Sequence, residues 1–219
     1  MKKFNEHGRS MIEMLGVLAI IGVLSAGGLA GYAKAMFRHR LNTTMDQITM
    51  LTTNIRTMYG AQTDYAGLTK DAMSLNLIPT AMVPAGSSVD GTSSMLTLMS
   101  PFKGKVEIQT SSVYGHNGTQ NNSDSAFVIA YYNLPRDACV ALASADFGSG
   151  AGSGFIGVMV HGEGVELSAG TGTAHDAAVG DGIESTSGER QEGAPYKVTD
   201  ALEECNVTND NSVVSWKFY

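Results

Sequence analysis

Cysteine, tryptophan, proline and charge are all scarce in this chain. Two cysteines among 219 residues exclude a disulfide-dense miniprotein and an all-cysteine zinc site, and are the right number for one bridge. A single tryptophan and an aromatic share of 7% imply a core that is mostly aliphatic. Five prolines stand against 26 glycines, so long Gly-rich loops are expected. Charged residues make up only 16%, but apolar residues reach 43%, which excludes wholesale disorder. The 14 Lys and Arg are outnumbered by 21 Asp and Glu, for a net charge of −7. That balance speaks against a nucleic-acid-binding surface, which needs clustered cations. The length suits one ordinary domain with a real core and an appendage.

What is present is unevenly distributed. Six of the 14 basic residues (Lys2, Lys3, Arg9, Lys34, Arg38 and Arg40) fall in the first 40 positions, opposed only by Glu6 and Glu13. The remainder carries 8 basic and 19 acidic residues and is rich in Gly, Ser, Thr and Asn. Between the two basic clusters runs MLGVLAIIGVLSAGGLAGYA, Met14 to Ala33, without a charge. At 1.5 Å per residue it spans roughly 30 Å, about the hydrocarbon thickness of a bilayer. Lys2, Lys3 and Arg9 ahead of it place the N-terminus on the cytoplasmic side. Ser25 to Gly28 would suit a signal-peptidase site. The length of the run, its continuation into amphipathic helix and Glu13 at its start point instead to an uncleaved anchor, because a carboxylate at the edge of lipid is costly and calls for a partner.

The stretch Gly8-Arg9-Ser10-Met11-Ile12-Glu13-Met14-Leu15 resembles the processing and assembly signature of type IV prepilins. The resemblance implies a leader of residues 1–8 ending in Gly8, a mature chain starting at Arg9, and N-methylation of that new terminus. It also makes Glu13 the fifth mature residue and the assembly carboxylate. Arg9 departs from the commonest pattern, which has an apolar residue there. A Glu one helical turn from a newly made α-amino cation is its natural counter-charge, within one chain or between neighbours.

Beyond the run, Leu41, Met45, Ile48, Leu51 or Thr52, Ile55 and Met58 recur at helical spacing, and Gly60 is suited to a left-handed stop. One helix from about Met11 to Tyr59, roughly 70 Å long, is expected, free in its first half and docked on a head in its second. Four glycines, Gly22, Gly27, Gly28 and Gly31, lie within it. The Gly27-Gly28 pair reads equally as a place for local melting and as a close-packing site. A short helix is expected over Thr69–Leu77, strands over Lys105–Ser111, Ala126–Tyr132, Phe155–Val160, Val165–Leu167 and Val213–Tyr219, and a helix opening at Pro135. The Gly-rich 168–194 reads as surface loop. The fold class is therefore α+β: a long N-terminal helix on an antiparallel sheet. Its organisation is 1–8 leader, 9–60 helix with 14–33 as the membrane and assembly segment, and 61–219 head.

YGAQTDYAGLT, LPRDACVALAS and the late Cys205 resemble type IVb pilins in particular. Cys139 and Cys205, on the oxidising side of the membrane, are expected to form one bridge closing residues 139–205. Two buried free thiols are the alternative. Other signals are weak. Gly152-Ser153-Gly154-Phe155-Ile156-Gly157 precedes a strand where a dinucleotide site needs a helix. His161, Glu163, His175 and Asp176 lack helical ligand spacing and read as solvated loop. No catalytic residue, cofactor or metal is expected, and the chain is read as not an enzyme. The resemblance implies a subunit held in the bacterial inner membrane and then polymerised through its N-terminal helices into an extracellular filament. Its partners would be its own copies, a prepilin peptidase and the pilus assembly machinery. The alternatives are a minor pilin or type II secretion pseudopilin, and a membrane-anchored periplasmic enzyme or binding protein.

Overall fold

The computed structural model describes residues 11–68, 72, 75–84, 98–114, 120–148, 154–161, 195–206 and 212–219, apart from the side chains of 112–114, 120–123 and 161. The expected helix over Thr69–Leu77 lies partly outside those residues, and Val165–Leu167 and 168–194 wholly so. Helix α1 (Met11–Tyr59) takes up 49 residues without a proline, with Glu13 in its first turn and Arg56 in its last, each of the sign that the helix dipole favours. The chain divides into two compact units, one ending at Arg40 and the other running Leu41–Tyr219.

The second unit is built on the end of α1. Ile48, Leu51, Ile55 and Tyr59 are buried, with Leu41 and Met45 partly buried against the same core. Eleven residues at 100° each return to nearly the same angle, so Tyr59 continues the stripe begun at Ile48, whereas Met58 points aside and is 45% exposed. The expectation for Met58 is corrected accordingly. Thr52 is buried and donates its hydroxyl to the Ile48 carbonyl at 2.8 Å, so it enters the core without an orphaned group. Gly60 does not adopt a positive φ as expected. A Cβ there would stand 2.7 Å from the Arg56 carbonyl oxygen, so close approach to the last helical turn is what requires glycine.

Strands β1 (Leu98–Met99), β2 (Lys105–Tyr114), β3 (Gln120–Leu134), β4 (Phe155–His161) and β5 (Ser212–Phe218) form one antiparallel sheet in the order β1-β2-β3-β5-β4. Strand β5 is thus inserted between β3 and β4. Ile129 sits opposite Ile108 on one side and Trp216 on the other, so alternate residues of the three central strands present one apolar face. That face and α1 share a single core. Tyr131 donates its hydroxyl to Gln47 Oε1 at 3.4 Å across this contact, and burial pushes its phenol far above the ordinary value. Rings step through the core from Tyr59 to Tyr65, Phe127 and Phe218, with centroids 5.5, 4.9 and 5.4 Å apart. Val128, Ala130 and Val213 pack on the opposite face of the sheet with Tyr132, whose hydroxyl donates to Glu107 Oε2 at 2.6 Å; Glu107 also pairs with Lys105.

Among the described residues the unit also holds a 3-10 turn (Thr80–Met82) and two short α-helices. Helix α2 (Arg136–Ala143) opens after Pro135, which takes the position before the first turn, and buries Ala138, Cys139, Leu142 and Ala143. Helix α3 (Val198–Glu204) buries only Ala201 within its length.

The position of Leu51, fully buried where α1 meets the sheet, gives a direct test. Leu51→Ala should lower the unfolding free energy by about 2–5 kcal/mol, while Met58→Ala, on the exposed side of the same helix, should cost about 0.5 kcal/mol or less. Denaturant unfolding in detergent, followed by the fluorescence of the single Trp216, reads both.

Candidate assembly site

The first unit presents an exposed apolar surface. Every residue from Met11 to Ala35 is exposed. Among them Met11 is 87%, Ile12 75%, Val23 74% and Leu29 72% exposed. Burying one such side chain is worth about 1.5–3 kcal/mol, so the twelve large apolar residues between Met11 and Tyr32 represent on the order of 20 kcal/mol of unmade burial. A patch of this kind marks a membrane or interaction surface. By length and composition α1 can cross a bilayer. Glu13 lies in the first turn and is exposed beside Met11, Ile12 and Met14. Gly8 and Arg9, expected at the cleavage point, lie outside the described residues. The helix runs unbroken through Gly27-Gly28, and a Cβ at Gly16, Gly22, Gly27, Gly28 or Gly31 would meet nothing within 4 Å. The space beside these glycines is open to another helix.

In the second unit the two cysteines meet. Cys139 of α2 and Cys205, at the end of α3, form a disulfide with Cα atoms 5.9 Å apart across a sequence separation of 66. Both are fully buried. Around the bridge, the Tyr196 amide donates to the Ala143 carbonyl at 3.0 Å and Arg136 Nη2 donates to the Leu202 carbonyl at 3.4 Å. These contacts hold both ends of the 143–196 connection at one place. The expected pairing is present, and the free-thiol alternative is excluded.

Sequence reasoning did not find two features of this region. Arg56, in the last turn of α1, lies over the Phe218 ring at 5.3 Å, where burial lowers its pKa and Tyr65 and Tyr219 oppose that. The signal was its place one turn before the helix end, facing the closing strand. Gly154 takes φ +71°, and a Cβ would meet Arg56 Nη2 and the Tyr219 oxygen, so this glycine fits the tight packing of three segments and not a phosphate loop. Glu163, His175 and Asp176 lie outside the described residues, as does the side chain of His161. Among the described residues no three His, Cys, Asp or Glu side chains gather as a metal site.

The chain thus joins an uncharged apolar run, continued as the packed helix of an α+β head, to a disulfide between α2 and the end of α3. A family model described as Bundlin matches residues 34–218. The chain belongs to the Bundlin family. It is 29% identical over 163 residues to the major structural subunit of bundle-forming pilus from Escherichia coli O127:H6 (strain E2348/69 / EPEC), covering 74% of this chain and 76% of that protein. It is 28% identical over 151 residues to the subunit of the same description from Escherichia coli O111:H-, covering 69% and 70%. Among solved structures it is similar to a type IV b pilin from Salmonella typhi, with a TM-score of 0.49 and 16% identity over 80% of this chain and 97% of that one. It is also similar to TcpA, a type IV pilin from the Vibrio cholerae El Tor biotype, with a TM-score of 0.45 and 15% identity over 83% and 99%.

Closing a loop of this length is worth roughly 4 kcal/mol in the chain-entropy account. Reduction with dithiothreitol, or the Cys139→Ser/Cys205→Ser pair, should therefore lower head stability by about that amount and expose the 143–196 connection to limited proteolysis. Unchanged stability with unchanged cleavage would show the bridge to be incidental.

Proposed function

We propose that this chain is the major structural subunit of a type IVb pilus, stored in the inner membrane and polymerised through α1 into an extracellular filament. The exposed apolar helix carries this reading. A member of a pilin family with some twelve large apolar side chains uncovered has two media that can bury them: lipid first, and a bundle of its own helices afterwards. A prepilin peptidase acting after Gly8 on the cytoplasmic side would leave α1 in place and create a new α-amino cation at Arg9, to be N-methylated. The assembly machinery would then draw the subunit out of the bilayer.

Glu13 supplies register. Within a water-poor helix bundle a carboxylate without a counter-charge costs several kcal/mol. The trimmed terminus of a neighbouring copy is a cation of the right size on a matching helix end. Only one axial offset brings the two together, so the penalty for every other offset selects the growing geometry. The glycines with open space beside them allow helices to approach at that offset. The filament would serve adhesion, aggregation, motility or conjugation at the cell surface. The relatives that match over most of their length are described as major subunits, which favours the major over the minor pilin or pseudopilin reading. The disulfide-closed head and the family favour a structural role over a membrane-anchored enzyme or binding protein.

Glu13→Ala should insert into membranes normally, fold its head with the disulfide intact, and yield at least tenfold less filament in material sheared from cells. Electron microscopy and the subunit content of the sheared fraction, set against the membrane fraction, read the split. Wild-type filament yield from this variant would remove Glu13 from assembly.

A further inference from the structure

The end of the apolar run away from the N-terminus carries a second feature. Tyr32 is 64% exposed, and one residue past Ala33 stands Lys34, followed one helical turn later by Arg38, both exposed. Their spacing of four places both cations on one face of α1. Arg40, exposed as well, extends the positive charge. With Met14–Ala33 filling the hydrocarbon layer, Lys34 stands about 1.5 Å and Arg38 about 7.5 Å beyond it along the helix axis. A headgroup layer is roughly 5–7 Å deep on each side, so both side chains lie at phosphate depth, with the Tyr32 ring at the boundary that amphipathic aromatics prefer.

Topology does not account for this cluster. Cations on the side away from the cytoplasm work against the orientation set by Lys2, Lys3 and Arg9. Two fixed cations on one helix face, presented at phosphate depth, are complementary to a phosphate-bearing headgroup with a net negative charge. Zwitterionic headgroups offer a phosphate but cancel it with their own cation. We infer that Lys34 and Arg38 form an anionic-phospholipid site that holds the stored subunit in the outer leaflet of the membrane, and that this site must be vacated when the subunit enters a filament. The inference rests on the membrane-anchored pilin reading above. Removal of residues 1–8 takes away Lys2 and Lys3 and leaves Arg9 and the new α-amino group as the cations at the other end of the apolar run.

The test uses the full chain in mild detergent, equilibrated with equimolar phosphatidylglycerol and phosphatidylcholine, with retained lipid read by native mass spectrometry. The wild type should retain phosphatidylglycerol over phosphatidylcholine by about tenfold, as expected for two cations at an anionic surface. Lys34→Gln/Arg38→Gln should fall to about twofold or less. Lys34→Arg/Arg38→Lys and Lys2→Gln/Lys3→Gln should both keep the preference. Equal preference in the wild type and the Gln pair, or a wild type without preference, would overturn the site. Displacement of the bound lipid by millimolar inorganic phosphate would assign the cations to a soluble anion and overturn it too. Reduced filament yield in the Gln pair with unaltered lipid preference would assign them to a second copy of the chain instead. Carbonate extraction of membranes separates this inference from the reading beneath it. A chain released by carbonate fails both, whereas a chain that is retained but shows no lipid preference fails only the lipid site.

Discussion

An uncharged, mostly apolar helical run of twenty residues, exposed along its whole length, is poorly suited to water. Globular domains bury such surface internally. Here the residues from Met11 to Ala35 are exposed, a surface of the kind that membranes or interaction partners cover. Lipid and a bundle of like helices are chemically similar media for a leucine or valine side chain, so transfer between them costs little in apolar burial. What differs between them is how they treat charge. A bilayer offers headgroups to Lys34 and Arg38 and water to Glu13, whereas a helix bundle offers the ends of neighbouring helices. Under the proposed function, the sparse charges of this otherwise uncharged segment would distinguish the two states of the subunit.

The head meets a different constraint: little aromatic content and long connections with few apolar residues. Its solution is to concentrate what it has. The end of α1, the central strands and α2 share one core, in which Trp216, Tyr131 and Phe127 are completely buried. Edge-on ring contacts join Trp216 to Tyr131 and to Phe147. The Cys139–Cys205 bridge then ties α3, which buries almost nothing of its own, to a helix that is part of the core. A covalent link here does work that apolar surface does elsewhere.

Much of this was legible in the sequence. The continuity of α1 and its end at Tyr59 could be read because an uncharged run and a helical stripe adjoin without a proline. The strands at Lys105 and Ala126 were located by their apolar centres but proved longer: β3 begins at Gln120, where polar residues join the ladder through backbone hydrogen bonds that leave no mark on hydropathy. The insertion of β5 between β3 and β4 is a long-range pairing with no local signal. Helix α3 was missed because seven residues with one buried apolar position carry no periodicity, and no side chain caps its N-terminus. At the proposed assembly site, the residue types at Gly8, Arg9 and Glu13 could be read from the motif, whereas any contact with a neighbouring copy is written in no single chain.

The account turns on whether α1 is trimmed at its tip and then bundled. Terminal sequencing combined with intact mass of filaments sheared from cells addresses both at once. The account predicts polymer whose subunits begin at Arg9, retain all of α1 and contain one oxidised cystine. Subunits that start at Met1 and are recovered only as single copies from the membrane would contradict it.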